Sequence, residues 1–242
     1  MSHRPRHLRL LLLVTLLSAA LAHPVGRLWA SHYTWLGHDG ELPPDVTLLG
    51  VFVPTIYRIL DEATAEWSGE TPTEPLLSQD GHLLATIGPA LKRQLDLEGS
   101  ARLRDGRIVN VAEKVKGKFR YLIVRNAPFG VAMPGYKLVP YRTISVDPRR
   151  IKLGTVLYLP ALAGIVLPSG EVHDGFCFAH DTGQGIVGNR IEIFVGFEND
   201  LDNELTRSGR VASFDEIRVY QVGGAMAKLV NDRFRKSFTW NE

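Results

Sequence analysis

Three β-rich runs of this chain each end in, or are broken by, an acid close to Gly or Pro. They are Asp147 in "ISVDPRRIKLGT", Asp181 in "FAHDTGQGIVG" and Glu192 in "GNRIEIFVG". A carboxylate among apolar neighbours is costly unless it is paired, hydrogen-bonded or protonated. Such groups are expected where strands end at a cleft. In "RIEIF" the alternation of a strand puts Glu192 opposite the Ile191 and Ile193 side. The glycines of "DTGQGIVGN" permit close approach of backbone to backbone or to a ligand. A plainer reading stands beside this one. Asp147 before Pro148 and Asp181 in its own loop suit turn capping, and Glu192 suits a solvent-facing residue paired with Arg190 or a cross-strand lysine.

The rest of the chain is also written in short strands. "VTLLGVFVPTIYRIL" (46–60) is β-branched and aromatic, with Pro54 marking an edge or bulge position. Residues 61–82, rich in Glu, Thr, Ser, Gly and Pro, read as a loop. "GPALKRQLDLEG" predicts a short helix closed by Gly99, and "ARLRDGRIVNVAEKV" a hairpin turning at Asp105-Gly106. Strands follow in "FRYLIVRN" and "RTISVDPRRIKLGTVLYLP", two more lie in 172–197, and another in 211–222. "GGAMAKLVNDRFRKSF" has apolar residues at helical spacing. Many short strands separated by turn signals predict a mainly β protein closed as a barrel.

Residues 1–22 stand outside this pattern. Arg4, Arg6 and Arg9 precede an apolar run that ends in the small-x-small sequence Ala20-Leu21-Ala22, the pattern of a cleaved export signal. An uncleaved anchor is the alternative, although the run is shorter than the ~20 residues of a spanning helix. No cysteine follows the run to carry a lipid. The chain has 28 Lys and Arg against 26 Asp and Glu, so taking away the three arginines of this segment leaves 25 against 26. That balance gives no electrostatic case for nucleic acid or anionic lipid. Cys177, flanked by Phe176 and Phe178, reads as a buried inert thiol, and a lone cysteine permits no internal disulfide.

Two chemistries are set aside on pattern. An aspartic protease needs two carboxylates sharing a proton, whereas the chain has one DTG, preceded by polar His180. His173-Asp174 and His180-Asp181 are adjacent pairs whose members point to opposite faces of a strand, and no HExxH spacing appears. No metal and no cofactor are expected.

The segments "RTISVDPRRIKLGTVLYLP" and "HDGFCFAHDTGQGIVGNRIEIFVG" together resemble the three-aspartate (3D) domain of lytic transglycosylases and other cell-wall proteins. The resemblance is dense over 141–197. It implies a six-stranded double-psi β-barrel over residues 46–242, with "GVFVPTIYRI" as first strand and "EIRVYQV" as last. A loop or hairpin insertion would occupy about 61–120, a short helix would close the chain, and 23–45 would form an irregular lead-in. Asp147 and Asp181 match two of the three aspartates. Glu192 stands at the third, the place of the catalytic acid, with its carboxyl one methylene further out. Lys152 replaces the usual proline and Val187 the usual lysine.

The implied activity is cleavage of the β-1,4 bond between N-acetylmuramic acid and N-acetylglucosamine in peptidoglycan glycan strands. A single carboxyl would act as acid and then base, helped by burial near Phe194 that raises its pKa. On this reading Glu192, Asp181 and Asp147 are catalytic, and Thr182, Gly183, Gln184, Asn189 and Tyr57 bind substrate. The protein would be an exported monomer of the periplasm or envelope, in contact with the outer membrane only peripherally or through an uncleaved signal. The Glu192 substitution motivates the alternative, an envelope protein that binds peptidoglycan without cutting it. N-terminal sequencing of the exported form is expected to return a start near His23; Met1 would make the segment an anchor.

Overall fold

A computed structural model describes residues 41–132, 135–183, 185–199, 201–211 and 215–240. The signal segment 1–22 and the first part of the lead-in therefore lie outside the described residues. In chain order the strands are β1 (Val46–Tyr57), β2 (Leu60–Asp61), β3 (Glu74–Leu77), β4 (Leu83–Ile87), β5 (Ser100–Arg102), β6 (Ile108–Val115), β7 (Lys118–Val124), β8 (Val131–Ala132), β9 (Tyr136–Lys137), β10 (Thr143–Val146), β11 (Val156–Tyr158), β12 (Phe176–Asp181), β13 (Arg190–Phe194) and β14 (Ile217–Val222). The helices are α1 (Pro89–Glu98), α2 (Glu204–Ser208) and α3 (Gly224–Phe238), with a 3-10 turn at Pro160–Leu162. Among the described residues, no helix is long and apolar enough to cross a membrane.

Six strands close a barrel in the order β1-β13-β10-β12-β11-β14. The pairs β1–β13 and β10–β12 run parallel and the others antiparallel. This is the six-stranded double-psi barrel expected from the sequence. Its interior is filled by residues of one parity on each strand: Phe52, Ile144 and Val146, Leu157, Cys177 and Ala179, Ile191 and Ile193, and Ile217 and Val219. Such a filled barrel is a packed core, and burial pushes the Cys177 thiol up to about 12. Pro54 is tolerated because β1 bonds β14 through its first half and β13 through its second, so Pro54 has a neighbour on one side only.

The other parity points outward and is covered by two separate layers. The insertion between β1 and β10 is more structured than a loop or hairpin. It forms a four-stranded sheet β2-β5-β6-β7 and a hairpin β3–β4, with α1 and a core of its own around Trp67, Leu76, Leu91, Leu95 and Tyr121. The expected loop 61–82 thus contains β3; Pro75 is accommodated because a two-stranded sheet consists of edges. Glu70, in the same stretch, accepts from Ala90 N at 3.1 Å and Leu91 N at 3.2 Å. It supplies the N-terminal cap that Gly88 has no side chain to give α1. Gly99, with φ of 87°, ends the helix as expected.

The insertion seats on the barrel through Tyr57 and Phe194 against Ile108, Val124, Val131 and Leu138. On another side α3 packs Met226, Val230 and Phe238 onto Val156, Tyr158, Phe176 and Phe178. A buried ion network binds this layer down. Arg142 donates to Asp174, to Glu171 and to the Phe176 carbonyl, and Arg233 of α3 reaches Asp174 at 2.6 Å. Burial alone would raise the Asp174 carboxyl, but Arg142, His173 and Arg233 hold it below the usual range.

His180 lies under α3, stacked on Tyr136 with ring centroids 3.8 Å apart and edge-on to Phe238. Desolvation lowers its pKa to about 4, and that of buried His173 to about 3. The unfolded chain takes up protons on these rings near pH 6.5, before the folded one does. Both histidines therefore favour unfolding as pH falls from 6.5 towards those folded values. His180→Phe, which keeps an aromatic ring in the stack, is expected to flatten part of the stability loss between pH 6.5 and 4 in urea titrations. An unchanged slope would place the loss on other groups.

Candidate active site

The outward residues of four neighbouring barrel strands form a row. Thr55 on β1 is registered with Glu192 on β13, Glu192 with Ser145 on β10, and Ser145 with Asp181 on β12. Strands lie about 4.8 Å apart, so the two acids flank Ser145 at one strand spacing each. Simple alternation from Cys177 and Ala179 would turn Asp181 into the barrel. A register shift after the Ile144–Ala179 pair prevents this and brings Asp181, rather than His180, beside Ser145. Re-aiming one side chain is a characteristic effect of a β-bulge.

The row faces a cavity of about 560 Å³ between the barrel and the insertion. Tyr57, Ser145, Asp181, Thr182, Gly183 and Glu192 contribute from the barrel side. The opposite wall includes Ser100, Asn110, Val111 and Phe119. Asn110 is held by Val131, donating to its carbonyl at 2.7 Å and accepting from its N–H at 3.3 Å, which fixes β6 against β8.

Tyr57 OH donates to Asp181 Oδ2 at 2.7 Å, and Thr182 N donates to Oδ1 at 2.8 Å. Burial raises the Asp181 carboxyl above the usual range, while those two hydrogen bonds pull the other way. Desolvation and the neighbouring Asp181 hold the Tyr57 hydroxyl well above its ordinary value, so it stays a donor. Glu192 is half-buried, and its Oε1 accepts from Thr55 Oγ1 at 3.2 Å. Gly183 arches over this part of the row: a Cβ there would lie 3.5 Å from Glu192 Oε2 and 3.6 Å from Ser145 Oγ, and only 3.0 Å from Ile186 Cγ1.

Asp147 stands apart, so the expected convergence of three carboxyls on one cleft is corrected to two. Its side chain accepts from Arg149 Nε at 2.9 Å, Arg149 Nη2 at 2.8 Å, Arg149 N at 3.0 Å and Gly188 N at 2.8 Å. Its carbonyl also closes the turn to Arg150 and Ile151. The Arg149 guanidinium, then the two N–H groups, hold the carboxyl far below the usual range. This is the turn-capping arrangement, and it moors the glycine-rich segment to the end of β10. Asn189 is likewise turned away from the cavity, donating to the Val51 carbonyl at 3.1 Å and accepting from Arg150 at 2.9 Å. Gln184 lies outside the described residues.

The residues missed in the sequence are Thr55 and Ser145. Each carries a period-two signal, Thr55 one step from the apolar parity of Phe52 and Ile56, and Ser145 between Ile144 and Val146. Among the described residues no group of three or more His, Cys, Asp or Glu is placed to hold a metal.

A closed double-psi barrel with two carboxyls on one outward row, facing a covered cleft, defines the class of structure. Within it, residues 142–217 match the 3D domain family. Among curated proteins none matches the chain. Among solved structures it is similar to Escherichia coli MltA with bound chitohexaose, at 14% identity over 73% of this chain and 75% of that one, with a TM-score of 0.47. It is also similar to the membrane-bound lytic murein transglycosylase of Agrobacterium tumefaciens, at 14% identity over 77% and 76%, TM-score 0.43. A third is the lytic transglycosylase LtgG of Burkholderia pseudomallei, at 16% identity over 71% of each chain, TM-score 0.36.

Asp147→Asn keeps the shape of the side chain and removes the charge that Arg149 and Gly188 N bind. The expected result is a lower melting temperature at pH 7 and faster amide exchange at Gly188. The deficit should shrink as pH falls below about 4, where an ordinary aspartate is protonated in the unfolded chain. Unchanged exchange at Gly188 would show that something other than Asp147 moors the segment.

Proposed function

We propose that the cleft cuts peptidoglycan glycan strands at the β-1,4 bond between N-acetylmuramic acid and N-acetylglucosamine, with Glu192 as the single proton donor and acceptor. The observation that carries the reading is the row Glu192–Ser145–Asp181, with Thr55 bonded to Glu192, along a cleft within the stretch that matches the 3D domain family. Glu192 gives its proton to the glycosidic oxygen as the bond to C1 of the muramic acid breaks. The muramoyl 6-hydroxyl then attacks C1 and returns its proton to Glu192, leaving an anhydro end and consuming no water. One carboxyl suffices for both transfers. Asp181, held by Tyr57 and Thr182 N, faces the positive charge that develops at C1, while Thr182 and Gly183 line the sugar path. Export through residues 1–22 would bring the enzyme to this substrate in the envelope.

One observation favours a second assignment within the same reaction. Burial raises Asp181, which suits a proton donor, and Glu192 would then orient the sugar. Digestion of purified sacculi separates the two. Wild-type protein is expected to release anhydromuropeptides, and Glu192→Gln to lose at least about 100-fold in rate with an unchanged melting temperature. Glu192→Asp should retain activity. Asp181→Asn should be impaired and less stable, since Tyr57 loses its charged acceptor. Full activity in Glu192→Gln with loss only in Asp181→Asn would move the acid to Asp181. Wild-type protein that binds sacculi and releases nothing would be a binding protein instead.

A further inference from the structure

Arg190 opens β13 on the outward parity of Glu192, since Ile191 and Ile193 turn into the barrel. Two steps of strand place the residues about 7 Å apart along the chain. Arg190 lines the same cavity, and among the described residues it is the one cation that does. The acids there are Asp96, Glu98, Asp181 and Glu192. Neighbouring arginines are committed, Arg149 to Asp147 at 2.8 Å and Arg150 to Asn189 at 2.9 Å. The Arg190 guanidinium takes part in no ion pair and no hydrogen bond among the described residues. A lone exposed arginine is ordinary surface, but this one stands in a concave site whose walls focus its field. Acids close by are already served: Asp96 by Lys92 Nζ at 2.7 Å and by Tyr121, and Asp181 by Tyr57 OH and Thr182 N. The charge is thus open to a ligand. A planar guanidinium matches a carboxylate, which it binds through two parallel N–H donors.

We propose that Arg190 is a specificity-determining residue that binds the lactyl carboxylate on C3 of the muramic acid whose C1 bond is cut. The proposal rests on the cleavage reading above. With Glu192 at the glycosidic oxygen, C3 belongs to the ring just beside it, and the short lactyl arm falls within reach of a side chain two strand steps away. That carboxylate is free only where the peptide stem has been removed; in stem-bearing strands it is an amide. Arg190 therefore makes stem-free strands the preferred substrate. The reaction that supplies them is hydrolysis of the amide between the lactyl group and the stem. A chitin oligosaccharide, which has no lactyl arm, gives the guanidinium nothing to hold.

Calorimetric binding tests this without cleavage. The full chain carrying Glu192→Gln, to stop turnover, is titrated with a stem-free tetrasaccharide of alternating N-acetylglucosamine and N-acetylmuramic acid, with its stem-bearing form and with chitotetraose. The stem-free ligand should bind about ten-fold tighter than chitotetraose, and raised salt should shrink that advantage. Adding Arg190→Gln should remove the difference, and Arg190→Lys should keep part of it. Both changes lie at an exposed position, so melting temperatures should hold. On sacculi stripped of their stems, Arg190→Gln in otherwise wild-type protein should raise KM and spare kcat. Equal affinity for the stem-free ligand and chitotetraose would overturn the proposal. So would a loss in Arg190→Gln shared by both, which would show that Arg190 only screens the acids of the cleft. Tightest binding of the stem-bearing form would also overturn it, by moving the recognised group into the stem. A selective loss in a protein that releases nothing from sacculi would uphold the carboxylate site and remove the cleavage reading.

Discussion

A barrel of six short strands has room inside for one parity of side chain and no more. Once Ile144, Val146, Ile191, Ile193, Cys177 and Ala179 fill it, every polar group on those strands must look outward and find cover or water there. The site follows from this exclusion. Glu192 and Ser145 are outward because their neighbours in sequence are inward. The insertion then turns that outward face into a cleft by resting on Tyr57 and Phe194 at its edge. The chain therefore keeps its hydrophobic core and its chemistry on opposite sides of the same strands.

The two covering layers divide the work. The insertion walls the cleft and carries a core of its own. The terminal helix covers the far side of β12, where His180 packs against Phe238 while the next residue, Asp181, faces the cleft. The buried Arg142 network fastens that helix. Arg233 ties the helix to the buried Arg142–Asp174 pair, and Met226, Val230 and Phe238 pack beneath it, so the helix is docked on the barrel. Successive residues at the end of β12 are thus held by different outer layers.

Much of this was legible in the sequence because parity is. Alternation in "RIEIF" and "TISVD" separates inward from outward residues, the joint VDP and DTG segments give the barrel, and Gly99 and Asp105-Gly106 mark a helix end and a hairpin turn that the structure contains. Three things were illegible for physical reasons. The bulge that turns Asp181 outward depends on pairing with β10, a long-range matter that no local pattern records. The strand at Glu74–Leu77 hides behind Pro75 and a polar approach, because its stability comes from Leu76 reaching a core built by residues far along the chain. Asp147 looks like its two partners in composition. Its local pattern leaves turn capping and the cleft both open, and only the three-dimensional position of Arg149 and Gly188 N decides between them, the carboxylate being taken by a guanidinium and by the backbone.

That last arrangement has a consequence for how the sequence can change over time. The carboxylate of Asp147 holds the turn that follows β10 with one oxygen and the backbone at Gly188 with the other, while Gly183 is held in place over Glu192 and Ser145. The path from one glycine to the other is therefore measured as well as shaped. Substitutions at exposed Gly185 and Val187 change the surface at little structural cost, whereas buried Ile186 is fixed by packing. An inserted or deleted residue would pull either the mooring or the cover out of place. Variation in this segment should accordingly be a matter of identity and hardly ever of length.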